Sequence, residues 1–187
     1  PRRAISAYAY HVMNRSIRHV PLFSVPDDYR LIIGIIVEAL SRFPVEVVVY
    51  HVMPTHFHMV VRAQDTTSLS AFMHWLTTTH ARRWHNRRGT SGLGPVYKER
   101  FKSIPLVDAD AVIRVCRYVE RNALKAGLVD RAEAWPWSSL ADRQREHPTV
   151  PLASLPVFSS PSWTDYVNRP AFRTEEDEME HLEEPAE

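Results

Sequence analysis

Between Pro44 and Arg62 the chain reads Pro-Val-Glu-Val-Val-Val-Tyr-His-Val-Met-Pro-Thr-His-Phe-His-Met-Val-Val-Arg, dense in β-branched and aromatic residues. This pattern predicts two strands, Val45 to Met53 and His56 to Arg62, joined by the tight connection Pro54-Thr55 into a hairpin. Side chains alternate along a strand, so His56 and His58 project from one face and Phe57 from the other. Phe57, Met59 and the valines anchor the strand in a core. Tyr8 to Asn14 predicts a further strand, and Arg15 to Pro26 a loop. Asp27 or Asp28 caps a helix running to about Phe43, which Pro44 stops. Leu69, Phe72, Met73 and Leu76 recur at helical spacing inside a helix from about Ser68 to His85. A glycine-rich loop, Gly89 to Pro95, precedes a loop and strand over Val96 to Leu106. Asp108 or Asp110 caps the next helix, which ends near Leu124 and is closed by Ala126-Gly127. Strands and helices mix without strict alternation, so the expected class is α+β: an antiparallel sheet with helices packed on it. No internal repeat is visible. After Pro148 prolines accumulate and periodicity fades. The expected organisation is one domain over residues 1–147 and a proline-containing acidic tail over 148–187, extended or disordered.

Composition sharpens this picture. The chain has 187 residues and is 44% hydrophobic, enough for one sizeable core. Cys116 is the sole cysteine, which excludes an internal disulfide and fits a reducing cytoplasm. The longest apolar run, Leu31 to Leu40, is too short to span a bilayer, which takes about 20 residues, and no membrane partner is expected. No secretory leader opens the chain, and its first residue, Pro1, implies that an initiating methionine is missing. Net charge is +1, but residues 1–150 carry 21 Lys+Arg against 13 Asp+Glu (+8) while residues 151–187 carry 2 against 9 (−7). A basic body with an acidic tail fits a polyanion-binding domain and either a solubilising tail or a segment that mimics the polyanion. In the second case residues 175–187 would lie across the basic cleft and inhibit it.

The helix ending near Leu124 carries two stripes. Val112, Val115, Cys116 and Val119 are apolar at i, i+3, i+4, i+7. Arg114, Tyr118, Arg121 and Asn122 are polar, with Tyr118 and Asn122 one turn apart on one face. Alone, such a stripe is as well explained by solvated arginines beside a boundary tyrosine. Beside a His-x-His strand it acquires a chemistry. Two imidazoles and an amide oxygen leave open positions on a divalent cation, which can bind a phosphate oxygen. A tyrosine there can attack phosphorus, given a cation to activate a phenol whose unperturbed pKa is about 10.

These residues resemble a known family. His51-Val-Met-Pro-Thr-His-Phe-His-Met-Val-Val61 is similar to the His-hydrophobic-His motif of one-tyrosine, IS200-like transposases acting on single-stranded DNA. More closely, the chain resembles the REP-associated tyrosine transposases of bacteria. Four ordered blocks carry the likeness over about residues 8 to 140: Tyr10-His-Val-Met-Asn-Arg15, the His56/His58 strand, Gly94-Pro-Val-Tyr-Lys-Glu-Arg-Phe-Lys-Ser-Ile104, and Tyr118-Val-Glu-Arg-Asn-Ala-Leu-Lys-Ala-Gly-Leu-Val129 with Trp135-Pro-Trp-Ser-Ser139. The resemblance implies a ferredoxin-like sheet, Mg²⁺ or Mn²⁺ held by His56 and His58 with Asn122 as third ligand, and attack by Tyr118 on a DNA phosphate. A 5′-phosphotyrosine and a free 3′-hydroxyl would result, with no nucleotide cofactor. The implied substrate is a palindromic single-stranded hairpin with a tetranucleotide at its foot, bound by a monomer or a homodimer. Thr55 stands where asparagine is frequent before the His pair, Ala123 where proline usually follows the asparagine, and Ser16-Ile-Arg-His-Val20 lacks the usual glycines.

The expected DNA surface is basic. His80-Ala-Arg-Arg-Trp-His-Asn-Arg-Arg88 ends the central helix with Arg82, Arg83, Arg87 and Arg88 around Trp84, and Arg15, Arg100, Lys102, Arg114 and Arg121 add charge. Arginines neutralise phosphates and aromatics stack on unpaired bases. The same charges also complement a helix C-terminus, and Trp84 can equally belong to the core. Trp135 and Trp137 read as packing residues. His51 reads as a neighbour of the site, and His11, His19, His74, His80, His85, His147 and His181 as ordinary polar or packed residues. Two other functions compete: a hairpin-binding protein with weak or no catalysis, and a two-histidine phosphoesterase, for which the paired His-x-Ser/Thr motifs are absent.

Overall fold

A single antiparallel sheet organises the chain, in a computed structural model that describes residues 8–159 and 162–170. Its strands are β1 (Tyr8–Arg15), β2 (Val45–Met53), β3 (His56–Ala63) and β4 (Lys102–Leu106), in the spatial order β2-β3-β1-β4. Helix α1 (Pro26–Leu40) links β1 to β2, and α2 (Thr66–Arg88) links β3 to β4, which is the ferredoxin-like arrangement. Helix α3 (Ala109–Lys125) then crosses to the opposite face. Among the described residues no helix is long and apolar enough to cross a membrane.

Strands β1, β2 and β3 are buried on both faces, while edge strand β4 alternates half-buried and exposed positions. Tyr10, Val12, Tyr50, Val52, Phe57, Met59 and Val61 join Ile32, Ile36, Leu69, Phe72 and Leu76 in the core beneath α1 and α2. Val48, Val49 and Val60 join Val115, Cys116 and Val119 beneath α3. The β2–β3 register shifts between Val47 and Val49, a bulge that puts both Val48 and Val49 in the second core. Helix ends follow capping chemistry. Asp65 and Asp108 cap α2 and α3 by accepting the Ser68 and Ala111 N–H groups. Gly127, at φ 66, closes α3 with Leu128 N–H on Ala123 O and Gly127 N–H on Leu124 O. α1 differs from expectation. Val25 is its N-cap and Pro26 its first residue, while Asp28 reaches back to the N–H groups of Ser24 and Val25.

The basic end of α2 meets α1. Arg88 bonds Asp28 at 2.8 Å, Arg83 bonds Glu38 at 2.8 Å, and Arg87 pairs with Asp27 at 3.6 Å. Trp84 donates to Leu22 O and lies under the Arg88 guanidinium. Burial opposes ionisation of Asp28, but the Ser24 and Val25 amides and Arg88 outweigh it and hold the carboxyl below its usual range. Nearby, His80 is buried and hydrogen-bonded to the Tyr97 hydroxyl at 2.7 Å, and burial pushes its pKa down to about 3. The unfolded chain takes up that proton near pH 6.5 and the folded chain does not, so this ring's contribution is complete above about pH 6.5 and lost as pH falls toward 3. In His80→Gln the decline of unfolding free energy with acid, read from urea titrations, is shallower by up to about 1.4 kcal/mol per pH unit in that window.

The chain after Pro148 departs from the expected extended tail. Leu152 bridges Val47 and Ala153 N–H bonds Val47 O at 2.8 Å, and further along α5 (Ser162–Asn168) packs Trp163 and Val167 on α3. Arg117 donates to Tyr166 O and Arg169 O, and Arg121 to Val167 O and Arg169 O, so two guanidiniums satisfy the carbonyl end of α5. Between α3 and α5 lies α4 (Ser139–Arg143). The Trp135 indole N–H bonds Val52 O, the Val52 backbone N–H bonds Trp137 O, and Trp137 stacks on Tyr29, so the Trp-Pro-Trp-Ser-Ser segment seals the outer edge of β2. The acidic residues 175–187, and with them the proposed inhibitory tail, lie outside the described residues.

Candidate active site

Strand register assembles the site on the α3 face. His58 sits opposite His51 on β2 and Met13 on β1, while His56 sits opposite Met53 and Arg15. The His56 and His58 rings lie 4.9 Å apart, centre to centre, and nearly perpendicular. His11 comes in from β1, its Nε2 3.1 Å from Nδ1 of His58 and its ring within 15° of parallel. From α3, Tyr118 meets His58 edge-on at 6.1 Å and His11 at 6.3 Å. The phenol and the paired imidazoles thus share one side of the sheet, within a single chain.

Asn122 follows one turn later. Its amide nitrogen donates to Tyr118 O and Val119 O of its own helix, which leaves Oδ1 as the end that can give lone pairs. His51, fully buried, accepts the Ala123 N–H at 3.2 Å and pins α3 to β2 beside Asn122. A proline at this position would lack that donor, so the alanine departure from the resembling pattern is matched by a hydrogen bond.

Burial keeps these rings uncharged. It lowers His56 to about 4, with Arg15 and His19 adding repulsion, His51 to about 3 and His11 to about 4, and His58 lies well below the usual value. Neutral imidazoles are what a cation needs. Nδ1 of His56 is engaged by Thr55 Oγ1 at 3.0 Å and Nδ1 of His58 by His11, so ligation by either ring runs through Nε2. Among the described residues no three His, Cys, Asp or Glu side chains form a ready cluster. Two imidazoles and an amide oxygen are the donor types the expected ligands His56, His58 and Asn122 could offer a divalent ion.

The expected DNA-contact residues divide into groups. Arg82, Arg100, Lys98 and Asn14 line a groove of about 640 Å³ with Phe101, between α2 and the Pro95–Phe101 loop. A smaller hollow lined by Met13, Asn14, Arg15, Lys98, Glu99, Arg100 and Lys102 shares residues with it and reaches Arg15, which pairs with His56 across β1 and β3; Glu99 is the one acid in this basic lining. Arg114 is exposed one turn before Tyr118. Arg83, Arg87 and Arg88 are drawn away to acids of α1, Trp84 to Leu22 O in the loop before it, and Arg121 to α5. Sequence reasoning missed His11, Lys98 and Glu120. The last is a buried carboxylate joining α3, α4 and α5 through Ser139, Arg143 and Trp163.

A ferredoxin-like sheet that presents a His-x-His pair to a helical tyrosine defines the class: an α+β protein with the parts of a one-tyrosine DNA transposase. Residues 4–122 match the family model described as Transposase IS200 like, and the chain belongs to that family. Its structure resembles that of a REP-associated tyrosine transposase bound to a REP hairpin, with a TM-score of 0.59 and 18% identity over 82% of this chain and 91% of the other. A candidate transposase from Deinococcus radiodurans R1 is similar at a TM-score of 0.47 and 16% identity, over 65% of this chain and 95% of that one. Among curated proteins none matches.

Proposed function

We propose that this chain is a metal-dependent single-stranded DNA endonuclease and strand transferase of the REP-associated type, which cuts beside palindromic hairpins. The approach of Tyr118 to His58, at 6.1 Å between ring centres, is the observation that carries the reading. Tyr118 Oη attacks the phosphorus, the bond from phosphorus to O3′ breaks, and the departing O3′ takes a proton to become a 3′-hydroxyl. The 5′ end stays on the tyrosine, and attack by another 3′-hydroxyl reverses the step and rejoins the strand. His56, His58 and Asn122 hold Mg²⁺ or Mn²⁺, whose chemistry is to neutralise charge on a non-bridging phosphate oxygen. Lys125 Nζ lies 5.8 Å from the centre of the Tyr118 ring, a cation on the same helix beside the phenol. Incubation of the protein with a hairpin strand labelled at its 3′ end, or internally on the 3′ side of the cut, and Mn²⁺ yields a covalent peptide adduct on Tyr118, read by mass spectrometry. Binding without any adduct would favour the alternative of a hairpin-binding protein without catalysis.

The groove lined by Arg82 and Arg100 leads to Arg15 and so to His56, which makes it the path of the strand. Arg82→Ala and Arg100→Ala each weaken hairpin binding and lower the slope of log affinity against log salt by about 1, in a fluorescence-anisotropy salt series. Arg83→Ala, whose guanidinium faces Glu38, leaves that slope unchanged.

A further inference from the structure

Resting on the reading of His56 and His58 as metal ligands, we propose that His11 is a positioning residue: its Nε2 accepts the Nδ1 proton of His58 and so fixes the tautomer that presents Nε2 of His58 to the cation. Both rings are buried, His11 at 1% and His58 at 1% exposure, and they meet ring nitrogen to ring nitrogen at 3.1 Å. A contact that short between two neutral imidazoles holds one proton, on one side or the other. If His11 donated, His58 would carry its own proton on Nε2 and could not ligate through it. If His58 donates, Nε2 keeps its lone pair and the ring is held by a hydrogen bond from the rear, as metal-binding histidines commonly are. His11 then carries its proton on Nδ1, a buried atom without a protein hydrogen-bond partner.

Geometry restricts the alternatives. His11 sits two pairs along the β1–β3 ladder from the residue facing His58, and so on the same face, since His11 faces Val60 and Met13 faces His58. This diagonal placement, with the rings within 15° of parallel, brings the two imidazoles together at their nitrogens. The corresponding support for His56 is Thr55 Oγ1, so each candidate ligand has its Nδ1 occupied by a different neighbour. Tyr118 stands edge-on to both His11 and His58, so a tilt of the His58 ring would also change the approach of the phenol.

The test separates this inference from the metal reading on which it rests. In the full chain without metal, long-range ¹⁵N–¹H correlation of labelled histidine should show His58 protonated on Nδ1 and His11 unprotonated on Nε2. The reverse pattern overturns the proposal whether or not the protein binds metal. Titration with Mn²⁺, followed by electron paramagnetic resonance, should show His11→Phe binding the ion about 10- to 100-fold more weakly than wild type. His11→Gln, whose Oε1 can accept the same proton, should recover most of that loss. Hairpin affinity in chelator should be unchanged in both variants. Wild-type Mn²⁺ affinity in His11→Phe would overturn the proposal. Absence of Mn²⁺ binding in wild type, with the expected tautomers in place, would instead strike the metal reading and leave the hydrogen-bond assignment standing.

Discussion

Tyr118→Phe loses the covalent DNA adduct, by at least about 10³-fold in rate, and keeps the hairpin. The phenol oxygen is the atom that would bond to phosphorus, and phenylalanine preserves the ring that packs against His58 and His11 while removing that oxygen. Tyr118 is only half-buried, so the fold should survive with a change of no more than about 1 kcal/mol. Two measurements on one preparation decide the matter. Gel shift on the hairpin reports binding, and denaturing electrophoresis of labelled strand reports the adduct. Chelation should silence the second and spare the first, and Mn²⁺ should restore it. An adduct that persists in Tyr118→Phe would move the nucleophile to another residue, and the functional reading would fall with it.

The second large effect concerns stability. Glu120→Ala should cost about 3–5 kcal/mol, a large part of the roughly 5–15 kcal/mol available to a domain. The Glu120 carboxylate is fully buried and takes the Ser139 hydroxyl at 2.8 Å, Arg143 at 3.1 Å and the Trp163 indole N–H at 2.7 Å. Burial pushes its pKa upward, while Arg143 and the indole and hydroxyl donors pull it back. Removing it leaves the Arg143 guanidinium, itself mostly buried, without its anion, and leaves the indole N–H without an acceptor. Those losses strike the contacts by which α4 and α5 hold α3, and α3 carries Tyr118. Glu120→Gln keeps hydrogen-bonding capacity and should cost less. Urea denaturation of the three proteins measures the order, and a loss below about 1 kcal/mol in Glu120→Ala would show that the network does not hold these helices.

The strands and their helices were legible because their patterns are local. Period-two runs of valine around His56 and His58, and the two stripes of the helix that carries Tyr118, can be read from neighbouring residues alone. What could not be read depends on register or on distant partners. His11 lies in the Tyr10-His-Val-Met-Asn-Arg15 block, but nothing local points it at His58, and its bond to His58 exists only because β1 and β3 pair as they do. The cations at the end of α2 look the same whether they meet phosphate or carboxylate, and their acids, Asp27, Asp28 and Glu38, lie far earlier in the chain. Helix α5 escaped notice because seven residues between prolines offer only Trp163 and Val167 as fully buried positions, too few for a periodic signal. Its capping by Arg117 and Arg121 joins residues about fifty positions apart.

The family match stops at Asn122, yet β2 obtains its outer backbone partners from Trp137, Leu152 and Ala153. A recombinant fragment trimmed to the matching region would present a bare, valine-rich border able to recruit strands from other molecules. For this protein the end of the family-model match and the boundary of a well-behaved polypeptide are therefore different places, and the second lies at least as far along as Asn168.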